Sequence, residues 1–185
     1  IGRKLAALKG FFRYLVRERH IVRDPLSVFA SPKQEKPLPA FLSVDDMFRL
    51  LGSVRGIGSP EIRDRAVLEV LYSTGIRVSE LVGLDWNDID FRLEILRVLG
   101  KGSKERIVPV GEVALQSLRD YSIEQGKRWG RETKGEAPVF LNRLGGRITT
   151  RSVARIVEKH LRATGIPVRM GPHGLRHTFA THLLN

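Results

Sequence analysis

The stretch EIRDRAVLEVLYSTGIRVSELVGL, residues 61–84, decides how this chain folds. Its first fifteen residues pattern as a well-formed helix over 61–75, and Gly75 stops it, since glycine enters the left-handed conformation without a Cβ clash. RVSELVGL then reads as a short second helix. Arg77 falls directly after the stop, where its guanidinium projects from a rigid turn instead of a mobile arm.

Working outward, FRLEILRVLGKGSKERIVPV (91–110) is the one clear strand pair. Its β-branched and leucine-rich arms flank a Gly-Lys-Gly-Ser turn that puts Lys101 at the tip. Helices are expected at about 112–125, 150–163 and 172–184, with 126–137 as a loop. Upstream, Ser43 and Asp46 have the spacing of a capping pair for a helix over 44–52. Residues 3–20 read as an amphipathic helix, with Leu5, Leu8, Phe12 and Leu15 on one stripe. Asp24-Pro25 ends that pattern. The class is mostly α with a small antiparallel β-sheet, and no internal repeat is present.

ASPKQEKPLPAF (30–41) carries three prolines in twelve residues and has little to bury, so it reads as a stiff linker. The division is then 1–29, the C-terminal part of a helical domain; 30–41, the linker; and 42–185, a second domain. One helix cannot make a domain, and the first residue is Ile, so the native start is expected upstream.

Composition restricts the partners. Lys and Arg number 32 against 20 Asp and Glu, a formal net charge of +12. Residues 1–33 are net +6 and 143–177 net +7, whereas 45–96 are net −4. Two basic blocks around an acidic one suggest a face that meets a polyanion, nucleic acid above all. Apolar residues make up 42% with no run long enough for a membrane span, no signal peptide is recognisable, and Cys is absent. The last excludes disulfides and thiolate metal sites and fits a reducing cytoplasm.

Arg77, Lys101, His173 and Arg176 form a set suited to phosphate: guanidinium forks bind the oxygens, and lysine and histidine move protons. Taken singly, each has an ordinary structural reading as a surface ion pair, a solvated lysine, or a helix cap. His173 and His177 stand at i and i+4, the spacing of a zinc pair. A zinc hydrolase would need glutamate where Gly174 stands, so no metal site is expected.

In order along the chain, TGIRVSEL, GKGSKERIVPV and HGLRHTFATHLL resemble the motifs of the tyrosine recombinase (phage integrase) family, most nearly the bacterial Xer site-specific recombinases. The likeness spans nearly all 185 residues. It implies the catalytic-domain fold of that family, preceded by one helix of its α-helical, SAM-like core-binding domain. It implies that Arg77 and Arg176 clamp the scissile phosphate, that Lys101 protonates the leaving 5′ oxygen, and that His173 gives acid–base support. His177 is expected to support the site, and no cofactor is implied. DNA contacts are expected from Arg3, Lys9, Arg13, Lys104, Arg106, Arg147, Arg151 and Arg155. The implied partners are a double-stranded recombination site, further protomers in a tetramer on DNA, and for a Xer protein a second recombinase and a DNA translocase. The implied activity is strand cleavage and rejoining through a 3′-phosphotyrosyl intermediate, of the chromosome-dimer-resolution type. The alternatives are a phage or transposon integrase of the same family, and a DNA-binding module without chemistry.

In that family a second His or Trp and the nucleophilic tyrosine follow the HLL text. The tyrosines here are Tyr14, Tyr72 and Tyr121, all ahead of Arg176. The expectation is therefore a chain truncated at both ends, holding the phosphate grip without the nucleophile, inactive in cleavage by itself, with Leu183 and Leu184 exposed.

Overall fold

The computed structural model describes residues 2–29, 41–100, 102, 104–130 and 134–184. The chain forms two compact units, residues 1–38 and 39–185.

In the first unit, α1 (Gly2–Arg17) half-buries Leu5, Phe12 and Leu15. It ends three residues earlier than the pattern predicts. Arg19 adopts φ 60°, and the amides of His20 and Ile21 both turn back to the Leu15 carbonyl. The Asp24 carboxylate then accepts the Leu26 amide at 2.8 Å, a local turn that competes with helix.

The second unit is built around α3 (Ser59–Thr74), which runs from the Gly58 cap to Gly75 at φ 57°. Ala66, Val67, Leu68, Val70 and Leu71 are all buried, covering more than one face, as a central helix requires. It packs above all against α5 (Glu112–Trp129), and also touches α2 (Val44–Gly52), α4 (Val78–Gly83), α6 (Thr150–Thr164) and α7 (Pro172–Leu184). The Ser43 hydroxyl caps α2 by accepting the Asp46 amide at 3.1 Å. Helix α5 continues four residues past the expected end, through Gly126, and stops at Gly130. A single interior glycine costs only about 1 kcal/mol, too little to break a helix anchored by buried Leu115, Leu118 and Tyr121.

The sheet has three antiparallel strands in the order β1 (Ile89–Asp90), β2 (Ile95–Leu99), β3 (Glu105–Pro109). Strand β1 is only two residues long and escapes a periodicity reading. Register pairs Ile89 with Leu96, and Val98 with Arg106. Leu96 and Val98 point into the core, while Arg97 and Leu99 face out. Residues 137–148 are stitched to the end of α4. The Trp86 amide donates to the Ala137 carbonyl at 3.1 Å, and Val139 to Leu84 at 3.0 Å. Among the described residues, no helix is long and apolar enough to cross a membrane.

Candidate active site

The turn after α3 places Arg77. Ile76 is buried and pins the backbone there, so the next side chain points outward and is about half exposed. Arg77 is also the N-cap of α4, and Glu80, at N3, reaches back to it. One Glu80 oxygen accepts the Arg77 amide at 2.7 Å, and the other accepts Arg77 Nη1 at 3.0 Å.

Glu80 is itself only 3% exposed at the side chain, and a second arginine reaches it. Arg106 of β3 donates from both Nη atoms, each at 2.8 Å, one to each carboxylate oxygen. Burial alone would raise the Glu80 carboxyl, but the Arg106 and Arg77 bonds overcome it and hold its pKa at about 2. The carboxylate is therefore ionised throughout the neutral range.

Arg176 lies on α7, three residues after His173. Its Nη1 donates to the Gly75 carbonyl, two residues ahead of Arg77, so α7 is tied to the turn that carries Arg77. Phe179, one helical turn further on, lies against Gly75 so closely that a Cβ there would meet its ring at 2.1 Å. His173 is exposed near the start of α7. His177 is half-buried, edge-on to Phe41 with ring centroids 6.3 Å apart. Lys101 lies outside the described residues, although β2 and β3 on either side of it are placed.

The expected DNA-contacting residues divide. Arg13 in the first unit, and Lys104, Arg151 and Arg155 in the second, are exposed. Lys9 donates to the Phe29 carbonyl at 2.5 Å, and the Arg3 side chain lies outside the described residues. Arg147 turns inward: it donates to the carbonyls of Val82 and Leu84 at 3.0 and 3.1 Å and pairs with Asp85 at 2.6 Å. That makes it a clamp between two loops. Arg106 is committed to Glu80. Arg155 joins Arg63, Arg143 and Lys159 around an open cavity of about 530 Å³ along α6.

Two polar groupings were not foreseen in the sequence. Asp64, 1% exposed, accepts from Arg63 at 2.8 Å, Lys159 at 3.1 Å and His160 at 3.2 Å. Burial pushes that carboxyl up, and the His160, Arg63 and Lys159 bonds more than reverse it, so it sits below its usual range. The second grouping is Tyr72–His182–Leu42. His182 Nε2 lies 3.0 Å from the Leu42 carbonyl, which can only accept, so that nitrogen carries the proton. In the neutral ring Nδ1 then accepts from the Tyr72 hydroxyl, also at 3.0 Å. Tyr72 is thus tied into the packing of α3 and α7, and burial followed by the nearby Glu69 raises its pKa.

Residues 40–185 match the model of the phage integrase family. The chain belongs to that family. Among its relatives, tyrosine recombinase XerC of Syntrophus aciditrophicus is 46% identical over 195 residues, covering 100% of this chain and 61% of that protein. The XerC of Thermodesulfovibrio yellowstonii is 46% identical over 186 residues, covering 100% of this chain and 62% of its own. The chain thus spans about three fifths of the length of these relatives. The crystal structure of XerA recombinase superposes with a TM-score of 0.69 at 30% identity, over 96% of this chain and 60% of that one. XerH site-specific recombinase bound to its palindromic difH substrate reaches a TM-score of 0.78 at 24% identity, over 96% and 54%, a likeness of fold. The tyrosine recombinase catalytic fold is therefore the architecture of the second unit.

Proposed function

We propose that this chain supplies the phosphate-gripping part of a Xer-type tyrosine recombinase, acting on duplex DNA in site-specific recombination of the chromosome-dimer-resolution type. The observation that carries the reading is the bond from Arg176 to the Gly75 carbonyl, which ties the helix bearing His173 and Arg176 to the turn bearing Arg77. Residues 1–29 are read as the tail of the core-binding domain, 30–41 as the linker, and 42–185 as catalytic-domain sequence.

In this reading Arg77 and Arg176 hold the non-bridging oxygens of the scissile phosphate and stabilise the charge that grows there. Preorganised donors of this kind each contribute about 2.7–4 kcal/mol. Lys101 protonates the departing 5′ oxygen, and His173 manages the proton of the attacking hydroxyl. The partners are further protomers in a tetramer on DNA, with a second Xer-type recombinase and a DNA translocase, in the cytoplasm. The attacking tyrosine is not one of the three in these 185 residues. Tyr72 is held by His182, and Tyr121 is buried with its hydroxyl accepting the Leu141 amide at 3.1 Å. Tyr14 lies in the first unit, in no matching motif.

The test is a nicked suicide duplex incubated with this chain. DNA binding is expected to weaken steeply with salt, at about 0.9 logarithmic units of affinity per decade of salt for each phosphate neutralised. No covalent adduct is expected. An adduct mapped to Tyr14, Tyr72 or Tyr121 overturns the assignment of roles, and salt-independent binding overturns the basic-face argument.

A further inference from the structure

We propose that Arg106 is a positioning residue that neutralises Glu80 so that the guanidinium of Arg77 stays free for a DNA phosphate. This rests on the reading of Arg77 as a phosphate grip.

Glu80 does two things for Arg77: it accepts the backbone amide and it hooks Nη1, which together fix the direction of the side chain. Alone, that service has a drawback. A buried carboxylate beside a single arginine makes a closed pair of net charge zero, and a guanidinium forked onto a carboxylate presents little to a second anion. The Arg106 fork removes the conflict. Both Glu80 oxygens are taken by Arg106 at 2.8 Å, and Arg77 is left with a single side-chain bond to the carboxylate. Two guanidinium charges against one carboxylate leave the cluster a net charge of one positive, and Arg77 is the more exposed of its two arginines, 56% against 38%. A guanidinium has five N–H donors. Those that Arg77 does not spend on Glu80 have no protein partner among the described residues.

Position supports the same role. Arg106 sits opposite Val98 in the β2–β3 ladder, so its backbone is fixed while its side chain spans to α4. A Cβ at Gly100 would lie 3.4 Å from Arg106 Nη1 and 3.3 Å from the Lys104 carbonyl. The first residue of the hairpin tip therefore passes within van der Waals reach of the fork. The Gly100 amide closes the tip onto the Lys104 carbonyl at 2.8 Å. An arginine whose two Nη groups are already committed to a carboxylate is poorly placed to contact DNA itself.

Charge balance makes a prediction that neither a direct DNA contact nor a purely mechanical brace makes. Binding of a fluorescein-labelled 30-base-pair duplex would be followed by anisotropy across a salt series, with circular dichroism confirming the fold of each variant. Arg106→Gln is expected to lower affinity about tenfold or more and to reduce the salt slope by about 0.9, the signature of one lost phosphate. Adding Glu80→Gln to that variant returns the local charge to one and is expected to restore both quantities to within about twofold of the starting protein. A double variant as weak as Arg106→Gln alone overturns the proposal. Should Arg106→Gln not fold, Glu80→Gln alone decides. Its local charge rises to two, so affinity and slope should increase, and an unchanged or lower affinity overturns the proposal. Arg77→Gln separates this from the underlying reading. If it leaves binding and slope intact, Arg77 does not grip phosphate, whatever Arg106 does.

Discussion

Replacing Gly75 with alanine adds a methyl where α7 already stands. The new Cβ would lie 2.1 Å from Phe179 Cδ1 and 2.5 Å from Cε1. Ordinary carbon–carbon contact begins near ~3.5 Å, so the ring must retreat by roughly 1 Å or more. Phe179 follows Arg176 by three residues on the same helix, and its retreat moves the helix that holds the Gly75 carbonyl. The backbone adds its own term, because φ is 57° there and an L-residue in the left-handed region costs about 1–2 kcal/mol. Overpacking adds about 1–3 kcal/mol. The sum, about 2–5 kcal/mol, lowers Tm by about 4–20 °C for a unit of this size. Chemical denaturation of four proteins, the parent, Gly75→Ala, Phe179→Ala and the double variant, isolates the contact. The double variant should be less destabilised than the two singles combined, by about the overpacking term of 1–3 kcal/mol. If the singles add to within ~0.5 kcal/mol, or Gly75→Ala melts where the parent does, the close approach of α3's stop to α7 is wrong.

Two further outcomes concern pH. Glu80 has its pKa lowered from 4.5 to about 2. Its contribution is thus fully present above 4.5 and lost as pH falls through about 2; acid titration of Tm should show a loss in that window that Glu80→Gln lacks. Glu69 is the opposite case, a buried carboxyl raised by desolvation that nearby Arg65 offsets only in part. Its charged form is penalised above the folded pKa, so Glu69→Gln should melt higher than the parent at pH 8 (urea or thermal melts), and the gain should shrink as pH falls through the raised folded pKa toward 4.5, below which it is gone. A constant difference at every pH would show that burial of the charge is not the cause.

What the sequence made legible was local. Ser43 announces the start of α2, Gly75 the stop of α3, and the Gly-Lys-Gly-Ser text the hairpin, because each signal and its partner lie within a few residues. The motif text also carried the family. The two-residue β1 offers no period to detect, and the last turn of α5 hid behind Gly126. The site's wiring was less visible because its partners are far apart in sequence. Glu80 and Arg106 are 26 residues apart, Asp64 and His160 96, and Tyr72 and His182 110. Half of the first was nonetheless written locally: Arg77 and Glu80 stand at the spacing of a helix cap and its N3 acid, and that signal was there to be used. Arg147 and Arg106 were grouped with the DNA-facing residues because charge counting cannot tell a solvated arginine from one folded onto a carboxylate.

Both backbone groups of Leu42 are held by α7. Its amide donates to Thr178 Oγ1 at 3.1 Å, and its carbonyl accepts from His182 at 3.0 Å. The first described residues of the larger unit are therefore closed by a helix 136 to 140 positions later. During synthesis at about 5–20 residues per second, Leu42 leaves the ribosome roughly 7–28 seconds before His182 does. Over that interval α2 and α3 can assemble, yet the buried faces that await Leu175 and Thr178 stay open to water. Closure of this unit waits on the synthesis of α7, and a nascent chain arrested ahead of α7 should be more readily captured by chaperones or cut by proteases than one in which α7 has emerged.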